Sequence, residues 1–185
     1  MSDSCTVSSL ESYEFSCMIS EEHNMTLHYT FTSAESIKLG IQVFSAGYVA
    51  LGWTETADEM IGSEAVIGWI DGESVVSVNT YLLTSKSSSG IEEGGFEITD
   101  ASASRTGNAL LVEWTRPLTV DDNLEGSQNM LWSLSSDASK SYHDIGRDSF
   151  DITFNASSSV QQSPSTPPST PSPNPLQSGK TCYKP

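Results

Sequence analysis

Basic residues are scarce in this chain. Of its 185 residues only 8 are Lys or Arg, against 24 Asp or Glu, a formal net charge of −16. All 24 acids lie before Asn155, whereas Lys180 and Lys184 lie after it, so residues 1–155 carry 6 − 24 = −18. Such a field repels phosphate backbones and anionic lipid surfaces and argues against nucleic acid as a partner. No apolar run approaches the ~20 residues that a helix needs to cross a bilayer, so no direct membrane insertion is expected of these residues. The first fifteen residues, MSDSCTVSSLESYEF, have neither a basic start nor an apolar stretch and do not read as a signal peptide. No window shows a convincing 3.6-residue apolar stripe, which argues against amphipathic helices. Proline is almost missing from the body: of eight, only Pro117 lies before residue 156.

The prolines collect instead in residues 156–185 with Ser and Thr, a composition that forms an extended linker or stalk and cannot build a core. The division expected is therefore 1–155 as one folded domain and 156–185 as a disordered linker toward a further domain, with Cys182 as that domain's first cysteine. In the body, short apolar or alternating segments follow one another: Leu27–Phe31, Ser36–Phe44, Gly47–Trp53, Ala65–Ile70, Ser74–Leu83, Phe96–Ile98, Ala109–Thr115, Asn129–Leu134 and Phe150–Phe154. Gly, Ser, Asn or Asp separates them. Nine to eleven short strands at this spacing predict an all-β fold, a two-sheet antiparallel immunoglobulin-like β-sandwich. Two of the segments, GYVALGW and AVIGWI, do not alternate, so both of their faces need cover. Another loop or an apolar ligand could supply it.

Cys5 and Cys17 bracket a short segment ahead of the first clear strand, which suits a local disulfide as well as two reduced surface thiols. Asn24-Met25-Thr26 and Asn155-Ala156-Ser157 match the N-glycosylation pattern. Together these lean toward an extracellular or cell-surface protein whose signal peptide is absent from this sequence.

Of five methionines and three histidines, two residues stand apart. Met60 lies in a polar, glycine-containing loop, ADEMIGSE, just ahead of a buried strand; its position alone suits a half-exposed loop residue. His143 lies in KSYHDIGR between two late strands. His23, in the acidic stretch EEHN, is expected in solvent. His28 lies opposite Leu27 and Tyr29 on its strand and is expected to face water with Thr26 and Thr30. Met130 alternates with Trp132 and Leu134 and reads as core filler. A thioether with a neutral imidazole is the donor pair of six-coordinate electron-transfer haem, in which methionine raises the reduction potential. The absence of Cys-x-x-Cys-His excludes a c-type attachment. Three scattered histidines without clustered cysteines give no zinc set. Adjacent His143 and Asp144 form no catalytic triad, because neighbours on an extended chain point apart.

Five segments in order resemble the DOMON family, specifically its haem-binding kind. That group includes the cytochrome domain of cellobiose dehydrogenase and the DOMON halves of b-type membrane cytochromes in plants and algae. The segments are Gly47-Tyr48-Val49-Ala50-Leu51-Gly52-Trp53; Met60-Ile61-Gly62-Ser63-Glu64-Ala65-Val66-Ile67-Gly68-Trp69; Val112-Glu113-Trp114-Thr115-Arg116-Pro117-Leu118; Leu131-Trp132-Ser133-Leu134; and Ser141-Tyr142-His143-Asp144. The resemblance implies one haem b whose iron takes Met60 and His143 as axial ligands. The apolar faces around Val49, Leu51, Ile67 and Trp69 are then expected to help cover the macrocycle, with no single wall residue assigned. Glu64 and Ser133 depart from the family's commoner Asp and Ala or Gly. Arg147 is the cation nearest the histidine loop and is expected as a surface charge. The function so implied is electron transfer rather than catalysis by the domain itself, toward a redox partner such as a flavin dehydrogenase or a membrane cytochrome. The alternative is a haem-free extracellular carbohydrate-binding or interaction sandwich, for which four tryptophans and six tyrosines supply stacking surface.

Overall fold

The computed structural model describes residues 5–71, 75–118, 124, 126–139 and 143–155; the linker, Cys182 and part of the loop before His143 lie outside them. Among the described residues there are twelve strands and a single short 3₁₀ turn. In chain order the strands are β1 (Thr6–Val7), β2 (Phe15–Ser20), β3 (Met25–Ser33), β4 (Ser36–Phe44), β5 (Tyr48–Trp53), β6 (Glu64–Ile70), β7 (Val76–Leu83), β8 (Ile91–Glu93), β9 (Thr99–Thr106), β10 (Ala109–Pro117), β11 (Ser127–Ser135) and β12 (Gly146–Thr153). They form two six-stranded sheets, in the orders β1-β2-β3-β4-β10-β9 and β12-β11-β5-β6-β7-β8. Every pairing is antiparallel. The expected two-sheet sandwich is the architecture found.

Alternation decides the packing. In β4, Ile37, Leu39, Ile41 and Val43 point inward and are buried. They meet Leu27 and Tyr29 of β3, Leu110, Val112 and Trp114 of β10, and Val49, Leu51, Val66 and Leu134 of the facing sheet. Met130 is fully buried in this core, and Met25 joins it at the start of β3. The two non-alternating segments are covered on both faces. Their inner residues enter the main core, while Tyr48, Ala50 and Ile67 join Tyr81 in a smaller cluster on the outer face, flanked by Trp69.

Three expectations are corrected. Phe96–Ile98 is not a strand. Instead Phe96 packs edge-on against Trp53 at 5.2 Å and beneath the Arg116 guanidinium at 4.4 Å, closing one end of the sandwich. The strand of that region is β9, TDASASRT, which has only alanine as apolar content and exists by pairing with β10. His28 does not face water: it is 2 % exposed. The N-terminal segment lies over it, with Ser8 Oγ 3.0 Å from Nδ1 and the Tyr13 ring centred 5.6 Å away. His23 is not simply solvated either, since its ring meets the edge of Trp132 at 5.3 Å.

The N-terminal segment is held in place by a disulfide between Cys5 and Cys17. Asn24 and Asn155 are both exposed, Asn24 in a tight turn with φ of 46°.

Candidate functional site

The pairing register of the second sheet lays out rows of side chains across its outer face. One row runs Tyr81–Ala65–Gly52–Leu131–Ser149 and the next Asn79–Ile67–Ala50–Ser133–Arg147. At the centre of these rows stand Gly52, Ala50 and Ala65, side chains too small to fill the space above them. A hollow results, a cavity of about 340 Å³. Gly52 shows its direction: a Cβ built there would lie 3.3 to 3.8 Å from Glu64 O, Ala65 Cβ and Leu131 Cβ, all within the sheet. Leu83 and Leu131 supply apolar wall, and Lys86, Asp58, Arg147 and Asp148 supply charge.

Met60 and His143 both line this cavity. They come from opposite ends of the same strands. Met60 sits in the β5–β6 loop, beyond the Trp53↔Glu64 pair. His143 sits in the β11–β12 loop, at the end where Ser135 pairs with Tyr48 and Leu134 with Gly146.

The methionine loop is tied at several points. Thr54 Oγ1 donates to Thr56 O and Glu59 O at 2.8 Å, and Ser63 Oγ donates to Glu59 O at 2.8 Å. Gly62 N donates to Leu83 O at 2.7 Å, and Leu83 N to Ser63 O at 2.9 Å. Asp58 (φ 63°) accepts a hydrogen bond from Ser149 Oγ, which joins the loop to β12. Buried Ser63, 1 % exposed, is thus a structural anchor three residues from Met60.

His143 is half-buried and contacts Arg147 through Nε2. A guanidinium can only donate, so Nε2 is the acceptor there and its lone pair is engaged by Arg147. Burial, and then the positive charge of Arg147, lower the His143 pKa below its ordinary value. The ring is therefore neutral at pH 7, the state in which imidazole binds a metal. Asp144 next to it is held as a carboxylate: hydrogen bonds from Ser136 and Ser135 push its pKa well below the usual range.

This donor set fits a group that needs two axial ligands. Among the described residues no three His, Cys, Asp or Glu side chains gather as a cluster for a bare metal ion, whereas one soft sulfur and one neutral nitrogen share a partly apolar hollow. The expected cover is corrected, however. Val49 and Leu51 point into the core between the sheets, and Ile67 and Trp69 pack in the outer cluster beside the cavity. The floor belongs to Ala50, Gly52 and Ala65. Lys86 went unnoticed in the sequence, as did the approach of Arg147 to the imidazole; neither carries a local signal.

A second, more polar cleft of about 530 Å³ lies by Trp53, Glu64, Gln128 and Arg116. The Arg116 guanidinium is stacked 4.8 Å from the Trp53 ring centre. Neither Met60 nor His143 reaches it.

In structure the chain is similar to the cytochrome b domain of pyranose dehydrogenase from Coprinopsis cinerea. The TM-score is 0.63 at 15 % identity, over 82 % of this chain and 87 % of that one. It is also similar to the cytochrome domain of Myriococcum thermophilum cellobiose dehydrogenase, with a TM-score of 0.60 at 14 % identity, over 85 % and 92 % of the two chains. At such identities the likeness is one of fold. No curated protein matches the sequence. The DOMON domain family matches over residues 21–134, more than half of the 185 residues, and ends before His143. The chain belongs to the DOMON domain family.

Proposed function

We propose that this DOMON domain is a b-type haem-binding electron-transfer module, with Met60 and His143 as the axial ligands of the iron. One observation carries the reading: a thioether and a neutral imidazole, 83 positions apart (143 − 60), line one cavity whose floor is glycine and alanine. Bound there, haem b would supply a one-electron couple between ferric and ferrous iron. The chain's part is ligation, burial and tuning. His143 would offer the Nε2 lone pair that Arg147 engages in this structure. Met60 would offer a soft thioether sulfur that favours the reduced state. Ala50, Gly52 and Ala65 leave room for a flat macrocycle, and Leu83 and Leu131 keep water from its faces. Lys86 and Arg147 are the cations available to carboxylate side arms. With Met60 and His143 both holding the haem, the domain would pass electrons and transform no substrate itself. Its redox partner is a dehydrogenase or membrane cytochrome, reached through the Pro/Ser/Thr segment. The Cys5–Cys17 disulfide and the two exposed sequons favour an extracellular or cell-surface setting.

The test is the visible absorption spectrum of the haem-supplied protein, oxidised and then reduced. A sharpened α band on reduction marks a low-spin, six-coordinate haem. Met60→Ala and His143→Ala should each convert the spectrum to high-spin or abolish binding. A protein that shows no Soret band after haem addition and gel filtration would overturn the reading.

A further inference from the structure

The histidine loop leaves β11 at Ser135 and enters β12 at Gly146. Loops between strands are ordinarily the most mobile parts of a sandwich, yet an axial ligand works only if its ring is held in one place. The contact with Arg147, an exposed side chain on a flexible stem, does not by itself hold the loop.

The neighbouring carboxylate does. Asp144 Oδ1 accepts from Ser135 Oγ at 2.7 Å and from the Ser136 backbone N–H at 2.8 Å. Its Oδ2 accepts from Ser136 Oγ at 2.5 Å. Ser135 is fully buried, and its Oγ also accepts from Asp137 N at 3.2 Å. Ser135 O in turn accepts from Gly47 N at 2.6 Å, so the anchor is fixed to the adjoining strand as well. One residue further on, Ile145 N donates to Leu134 O at 3.4 Å and the β11–β12 ladder begins. His143 therefore stands at the closed root of its loop, one peptide from a carboxylate with three donors.

We propose that Asp144 is the positioning residue of His143: by tying the loop back to Ser135 and Ser136 it sets where the imidazole enters the cavity. The proposal rests on the reading of Met60 and His143 as ligands. Asp144 is itself solvent-exposed, so its hydrogen bonds compete with water. What it contributes is geometry more than strength, and its loss reads out in ligation before it reads out in stability. Asn keeps the acceptor toward Ser135 and the Ser136 N–H but loses the charge and forces the Ser136 hydroxyl to turn from donor to acceptor, so it is the mild variant; Ala removes all three bonds.

The experiment compares wild type with Asp144→Asn, Asp144→Ala and, as a control for charge within the same loop, Asp137→Asn. In the haem-free proteins, NMR follows the His143 ring resonances and the exchange of the Ser136 amide. In the haem-supplied proteins, titration gives affinity, and the ferric spectrum gives the low-spin fraction with and without added imidazole. We expect Asp144→Ala to broaden or shift the His143 ring signals and to unprotect the Ser136 amide, and Asp144→Asn to do the same to a smaller extent. Haem affinity should fall about 10- to 100-fold, as when groups supporting a metal ligand are removed. A high-spin fraction should appear that free imidazole converts back, while Asp137→Asn stays like wild type. If Asp144→Ala does not fold, Ser136→Ala removes one of the three bonds from the other side and is read the same way. Variants that melt earlier but keep the wild-type ring signals, spectrum and affinity would reduce Asp144 to a loop cap and overturn the proposal. If wild type takes no haem, the ligand reading fails by itself. The haem-free ring signals then decide the positioning role alone: altered in Asp144→Ala they support it, unaltered they overturn it.

Discussion

At Gly40, in the middle of β4, a Cβ would lie 2.3 Å from the Tyr13 hydroxyl oxygen. At Gly52, in β5, a Cβ would touch only the floor of its own sheet, at 3.3 Å and beyond. Both glycines make a hollow on the outer face of a sheet, and the chain treats the two oppositely. Over Gly40 it lays its own aromatic ring, held by Tyr13 Oη donating to Glu113 Oε1 at 2.6 Å and by Lys38 Nζ 4.8 Å above the ring centre. Lys38 also pairs with Glu113 at 3.3 Å. Burial, then the bond to Glu113 and its charge, hold the Tyr13 phenol protonated far above its ordinary pKa. Around Gly52 the chain places instead a sulfur and an imidazole at the two ends and leaves the centre unfilled by side chains. A hollow that the chain fills itself is a matter of stability. One left open and lined by a thioether and an imidazole is a candidate site.

The comparison breaks most visibly at the disulfide, which closes the segment that carries Tyr13. Cys5 and Cys17 are 12 residues apart, and opening a loop of that size costs about 3 kcal/mol. Thermal unfolding with and without reductant, and of Cys5→Ala, should show this loss. Below the lowered transition the haem-loaded spectrum should stay unchanged. A spectrum that collapses together with reduction would mean that the two faces are not independent.

The glycines themselves sharpen it. Gly40→Val must displace Tyr13 and is expected to cost about 1–3 kcal/mol, as overpacking does, with haem uptake intact. Gly52→Val should leave the melting temperature nearly unchanged and lower haem affinity about 10- to 100-fold, the same energy spent on binding. Haem titration and thermal unfolding of both variants check the crossed pattern; equal effects on both observables at both sites would dissolve the distinction.

The smallest effect is with pH. Burial lowers the His28 pKa beneath its ordinary 6.5, although the charge of Glu113 acts in the opposite sense. The folded state thus holds His28 neutral where the unfolded chain would bind a proton. Stability is complete above about 6.5 and falls as pH drops from there toward the folded pKa, by at most about 1.4 kcal/mol per pH unit. Denaturant unfolding between pH 7 and 5 should show that slope, and His28→Gln should remove its share, leaving the part due to His143, whose pKa is lowered in the same sense.

The residues that were legible in the sequence are those whose neighbours in space are also neighbours in sequence. Ser36–Phe44 alternates so regularly that the strand is found at the boundaries read from the pattern. Met60 was conspicuous because a thioether is foreign to a polar loop. Alternation also set His28 on the outer side of β3 correctly, but it could not show that Tyr13 and Ser8 would come to lie above it. The same blindness hid β9, whose small residues depend on β10 for their place. It also drew attention to the apolar faces around Val49 and Leu51, which turn inward, when Ala50 and Gly52 form the floor. Small residues attract no notice in a sequence; register gives them their meaning.

Met60 and His143 hang from opposite ends of strands shared by one sheet. The sheet is therefore a gauge block between two jaws. Each residue of an extended strand adds about 3.3 Å, so the gap is quantised by residue count and barely by side-chain identity. Substitutions along β5, β6, β11 and β12 can drift freely so long as they stay small on the outer face. A single insertion would reverse the faces of the strand beyond it, and a matched pair would move the jaws about 7 Å apart. Such a domain can lose almost all recognisable sequence and keep its span, and its tolerance to change is set by length rather than by letters.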